Sequence, residues 1–157
     1  MIKYAYFSED NKYRYELGRI WDNKKPIIMF IMLNPSTANS ENDDNTIIRV
    51  INFTKSWGYG GVKVTNIYAF CSKYPKKLKK IKDPIGEKNI YHIQNLIRNE
   101  NFEKIIYAWG YNNKEPKWLY ELVHIPYCID VSIKGFPKHP LRLNGKLQPV
   151  LYIRNYK

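Results

Sequence analysis

An α/β fold, in three layers with a mainly parallel four-stranded central sheet and an N-terminal β-hairpin, is predicted by three observations. After the hairpin, apolar runs of strand length alternate with helix-period segments in the order β, α, β, α, β, α, β. The first run, Ile27-Ile28-Met29-Phe30-Ile31-Met32-Leu33, is apolar throughout, as a strand covered on both faces must be. At 157 residues and 44% apolar, the chain is long enough for one core, so a single domain over 1–157 is expected.

The hairpin is read from Lys3 to Phe7 and from Lys12 to Ile20, where apolar and polar residues alternate around the turn residues Ser8-Glu9-Asp10-Asn11. The apolar run after Pro26 stops abruptly at Asn34-Pro35-Ser36. Asp43-Asp44-Asn45 then offer capping oxygens to a helix with Ile47, Val50, Ile51 and Trp57 on its apolar face, stopped by Gly58. Val62 to Tyr68 reads as the second core strand, with β-branched residues at alternating positions. Cys71 to Gly86 is basic and proline-punctuated, a long loop with one helical turn at most. A helix from Glu87 to Asn99 turns Ile90, Ile93, Leu96 and Ile97 inward, and Lys104 to Trp109 is the third core strand, closed by Gly110. Pro116 suits the first turn of a third helix carrying Trp118, Leu119, Leu122 and Val123. Tyr127 to Ile133 completes the sheet, followed by the loop Lys134 to Pro140.

The 26 Lys and Arg against 14 Asp and Glu leave a net charge of +12, which favours anionic partners such as nucleic acid or phosphorylated small molecules. Richness in Lys, Asn, Ile and Tyr, the residues of AT-rich codons, competes as an explanation for that excess. Cys71 and Cys128 belong to no metal-binding cluster and read as reduced, so neither a metal nor another cofactor is expected. Met1-Ile2-Lys3-Tyr4 does not start a cleavable signal, and no apolar stretch reaches the roughly 18 residues that span a bilayer. A cytoplasmic protein without a membrane partner is expected; oligomeric state is not legible.

In a parallel sheet, sites gather at the carboxyl ends of the strands. Four polar or glycine-bearing segments follow the four core strands: Asn34-Pro35-Ser36-Thr37, Asn66 with Tyr68 to Phe70, Trp109-Gly110, and Lys138-His139-Pro140-Leu141. Asn34 carries both a donor and an acceptor, and Pro35 fixes the turn that presents it. His139 in its proline-bounded loop is suited to donate to a developing anion or a phosphate, with Lys138 adding charge. His92 and His124 read as structural, Asp43 and Asp44 as helix caps before metal ligands or a general base, and the lysines from Lys73 to Lys82 as a phosphate-tracking or simply solvated loop.

These residues carry a resemblance. Leu33-Asn34-Pro35-Ser36-Thr37-Ala38, Asp43-Asp44 with Thr46-Ile47 and Arg49, Trp57 to Gly61, Asn66 with Ala69-Phe70, Asp83-Pro84-Ile85-Gly86, Trp109-Gly110 and Gly135 to Leu141 resemble the bacterial and phage family called domain of unknown function 1643. More distantly, an apolar strand ending in Asn-Pro, a second ending in Thr-Asn-Ile, a third ending at Gly and a last loop with His-Pro resemble the uracil-DNA glycosylase superfamily in the same order. That likeness implies a uracil-DNA glycosylase-like domain. It places Asn34 where a hydrolytic water is held, His139 at the leaving group or phosphate, and Asn66 at the Watson–Crick edge of a base. Tyr68, Phe70 or Trp109 would supply an aromatic platform.

The departures are that Met32-Leu33 precedes Asn34-Pro35 where small residues are usual, and that Leu141 follows His-Pro where Ser is common. Asn also cannot accept a proton from water as a carboxylate does. The implied function is a nucleic-acid N-glycosidase acting on an unusual or modified base, a possible DNA glycosylase, with Asn34 and His139 catalytic and Pro35, Ser36, Thr37, Asp44, Asn66, Tyr68, Phe70, Trp109 and Lys138 binding the ligand. The alternatives are a non-catalytic pocket for a nucleotide or nucleotide-derived signal, and a nucleic-acid-binding module without a small-molecule pocket.

Overall fold

A computed structural model of the chain describes residues 1–110 and 112–154. β1 (Ile2–Phe7) and β2 (Arg14–Ile20) pair antiparallel from Ile2 opposite Ile20 to Phe7 opposite Arg14, forming the expected hairpin. Its turn is held by Ser8 Oγ donating to Asp10 Oδ1 at 2.6 Å, and Asn11 takes a positive φ of 60°, which its short polar side chain tolerates. Close packing inside the hairpin demands Gly18, since a Cβ there would lie 2.1 Å from the Tyr4 ring.

β3 (Ile27–Met32) shows why its sequence is apolar without alternation. Ile28, Phe30 and Met32 enter one core with α1 (Asn45–Ser56), while Met29 and Ile31 enter a second core on the opposite face. The second core is closed by Ile93 and Leu96 of α2 (Asn89–Asn99) and Leu119 of α3 (Lys117–Leu122). Each such side chain contributes roughly 1.5–3 kcal/mol on burial, and a strand buried on both faces collects that from successive residues, here Ile28 to Met32.

Asp44 caps α1 and Gly58, at φ 85°, follows its end, both as the sequence indicates. β4 (Gly61–Asn66) lies parallel to β3 with Met32 opposite Asn66, so the two strands end together. A 3-10 helix, Pro75–Lys80, occupies the lysine-rich loop. β5 (Ile105–Tyr107), β6 (Pro126–Cys128) and β7 (Val150–Leu151) complete the strands.

The α/β class is as expected, but the sheet is larger and more mixed than the expected four strands. It has seven strands in the order β1-β2-β4-β3-β5-β6-β7. The hairpin is not an appendage: β2 pairs antiparallel with β4, from Leu17 opposite Val64 to Ile20 opposite Gly61, and β7 pairs antiparallel with β6. The last core strand is also shorter than Tyr127 to Ile133. It stops at Cys128, and Ile133 lies fully exposed in a turn closed by the Gly135 amide on the Ser132 carbonyl at 2.8 Å. In α3, Leu119 is buried, whereas Trp118 and Leu122 are only partly so. Among the described residues, no helix is long and apolar enough to cross a membrane.

Candidate functional site

A cavity of about 780 Å³ opens at the edge where β3, β4 and β5 end. Asn34, Pro35, Ser36, Asp44, Asn66, Tyr68, Trp109 and His139 line it, so segments far apart in sequence meet there. Thr37, Phe70 and Lys138 are not among its lining residues. Thr37 is exposed and offers its amide to Asp44, Phe70 packs edge-on against Tyr13 with ring centroids 5.5 Å apart, and Lys138 turns to Asp130 Oδ2 at 3.0 Å.

Asn34 follows β3, and its Nδ2 donates to the carbonyls of Pro35 at 3.0 Å and Ser72 at 2.9 Å. Two carbonyl partners determine which end of the amide is nitrogen. Oδ1 is thereby the atom left to act, a held acceptor without a partner among the described residues.

Asn66 ends β4 with its side chain buried, and its Oδ1 accepts from Arg14 Nη2 at 3.4 Å. The turn beyond it is secured by Asn89, whose Nδ2 donates to the carbonyls of Asn66 at 2.8 Å and Ile67 at 3.2 Å. Trp109, 1% exposed, is fixed by its Nε1 donating to the Asn113 carbonyl at 2.8 Å and by the Tyr107 ring at a centroid distance of 4.4 Å.

His139 Nδ1 accepts the Leu141 amide at 3.2 Å, which leaves the ring proton on Nε2. Burial pushes its pKa below the ordinary imidazole value, partly opposed by Asp44. At neutral pH it is therefore an uncharged ring able to donate from Nε2. Asp44 is the only carboxylate among the described cavity residues, and both its oxygens are engaged. Oδ1 accepts from the Ile47 amide at 2.9 Å, and Oδ2 from the amides of Ala38 at 3.2 Å and Thr37 at 3.4 Å.

Sequence reasoning missed Arg14, Ser72 and the inward part of the lysine tract. Lys73, Lys76 and Lys79 line the cavity with Pro75 and Leu78. The three-residue period of a 3-10 helix puts Lys76 and Lys79 on one side, a spacing that was visible in the sequence. Lys77 instead lies over the Tyr74 ring at 4.9 Å. Nothing in the hairpin pattern marks Arg14, which is 2% exposed and whose pKa burial pushes down to about 10, so that it remains charged at neutral pH.

Neither cysteine is activated: burial raises the Cys71 thiol and pushes that of Cys128 up to about 11, so both stay protonated near neutrality. His92 is structural as expected, with Nε2 2.7 Å from the buried Glu16. The described residues contain no group of three His, Cys, Asp or Glu able to hold a metal ion.

No curated protein and no solved structure matches the chain. The model of one protein family, described as a protein of unknown function (DUF1643), matches residues 14–141, from Arg14 in the hairpin to Leu141 beyond the His-Pro motif. With its core strands, its Asn-Pro and His-Pro loops and most of its cavity inside that match, the chain belongs to the DUF1643 family.

Proposed function

We propose that the cavity receives a nucleobase and that the protein is a nucleic-acid N-glycosidase acting on an unusual or modified base, related to the uracil-DNA glycosylases. The observation that carries this reading is the meeting, in one cavity, of the held acceptor Asn34 Oδ1 and the uncharged donor His139 Nε2. Asn34 Oδ1 accepts a hydrogen bond from water and turns the water oxygen toward the sugar carbon. As the carbon–nitrogen bond breaks, its electron pair passes to the base, and His139 Nε2–H donates to the oxygen on which negative charge grows. The water oxygen bonds to the sugar carbon and its proton leaves to solvent. Asn66 reads the edge of the base, Trp109 and Tyr68 flank it, and Lys73, Lys76 and Lys79 face the phosphates at the cavity wall.

The test is incubation with single- and double-stranded DNA carrying normal, deaminated and modified bases, with free base detected by mass spectrometry. Wild-type protein releases base, and Asn34→Ala and His139→Ala each slow release by about 100-fold or more. Absence of release from every substrate overturns the reading.

One observation favours a second reading, a pocket that binds a nucleotide or nucleotide-derived signal without cleaving it. Asp44 uses both oxygens on backbone amides, so no carboxylate among the described cavity residues is free to take a proton from water. On that reading a nucleotide is retained unchanged, and the same two variants lose affinity for it.

A further inference from the structure

The cavity wall contains a buried charge with no counter-charge in contact. Arg14 has five donors, yet Nη1 reaches only the Ala38 carbonyl at 3.2 Å and Nη2 only Asn66 Oδ1 at 3.4 Å, both long for a charged donor. Its Nε is buried with no partner, and no described carboxylate forms an ion pair with it. A guanidinium shut away from water in this state is costly unless an anion joins it. The rest of the lining has the same sign: Lys73, Lys76 and Lys79 stand with Arg14 against the single carboxylate of Asp44.

We propose that Arg14 anchors an oxyanionic group of the ligand, a phosphate or a carboxylate, brought in beside Asn66. The proposal rests on the reading of this cavity as a ligand site and adds what that ligand must carry. A planar fork with unused donors suits two oxygens of one anion, whereas the lysines serve as point charges nearer the 3-10 helix. It also assigns Asn66 a second task. By accepting from Nη2, its Oδ1 holds the guanidinium in place, so the residue that meets a base also orients the cation beside it.

The experiment follows the Arg14 Nε–H resonance of the full chain by NMR, identified by its absence from Arg14→Met. Inorganic phosphate and acetate are titrated separately against chloride at matched ionic strength. A saturable shift with phosphate, acetate or both, but not with chloride, is expected. Phosphate alone points to a phosphate ester or free phosphate as the source, and acetate alone to a carboxylate. Binding of the effective anion, measured by calorimetry, weakens about tenfold or more in Arg14→Met, the loss of a charge-assisted hydrogen bond.

A chloride-like response to both anions in the wild type, or unchanged anion affinity in Arg14→Met, overturns the anchor. If Arg14→Met fails to fold, the resonance is assigned in the wild type by through-bond correlation from the Arg14 backbone along its side chain, and the wild-type titration then decides the matter. Base release without any anion response rejects the anchor and leaves the glycosidase; an anion response without base release does the reverse.

Discussion

Two arginines of one strand, Arg14 and Arg19, are both buried and both reach the loop before α1, but they are held in opposite ways. Arg19 Nε pairs with Asp43 Oδ1 at 2.8 Å, and its remaining donors meet the carbonyls of Gly18 at 2.8 Å, Tyr4 at 3.3 Å, Asn39 at 2.5 Å and Asn42 at 3.4 Å. Arg14 has two long contacts and a bare Nε. The difference separates two uses of a buried charge. One is consumed by the fold and holds the hairpin to the loop, while the other is kept in reserve at a cavity.

The comparison is broken most directly by substituting each arginine with Met. Arg19→Met takes from Asp43 its closer cation, leaving Lys3 at 3.8 Å, removes the guanidinium from four carbonyls and is expected to cost about 2–4 kcal/mol in urea unfolding, whereas Arg14→Met changes stability by no more than about 1 kcal/mol. Equal losses would mean that Arg14 is as much a part of the frame as Arg19.

A smaller effect sharpens the contrast at the corner that carries Arg14's partner. Asn89→Ala leaves the Asn66 and Ile67 carbonyls without their side-chain donor and is expected to destabilise by about 1–3 kcal/mol. It should also weaken any ligand that Asn66 touches, although Asn89 itself is not among the cavity residues. Calorimetric titration beside unfolding would show both losses or refute the link.

The smallest effect belongs to His139. Its folded pKa is depressed by burial, so the unfolded chain binds more protons between that depressed value and the ordinary value near 6.5. Stability is therefore fully present above about pH 6.5 and declines as pH falls through that window. Thermal unfolding of wild type and His139→Gln from pH 7.5 to 5 should show a shallower acid decline in the variant.

Much of this was legible in the chain, and the reasons differ by region. Asn34, Asn66, Trp109 and His139 could be read because apolar strands end just before them and parallel strands deliver their ends to one edge. Lys138 sits beside His139, but neighbouring residues in extended chain point opposite ways and it meets Asp130 instead, while Phe70 lies past the bend after β4, where an isolated bridge to Tyr13 holds it outside the cavity. The overrun of β6 has a plain cause: Val131 and Ile133 have strand chemistry but stand exposed in the loop. β7 is two residues long, too short for any pattern. Arg14 was hidden because burial of a polar hairpin residue depends on which distant segments fold over it. Here those are the loop at Ala38 and the turn at Asn66.

The double duty of Asp44 bears on which sequences this position tolerates. On an isolated helix Ser, Asn and Asp cap about equally well. Here one carboxylate oxygen starts α1 while the other gathers the amides of Thr37 and Ala38. A serine has no second oxygen for them, and an asparagine would turn an amino group toward two N–H donors. Drift among the usual caps is thus closed off, and the start of a helix and the wall of a cavity are inherited through a single side chain.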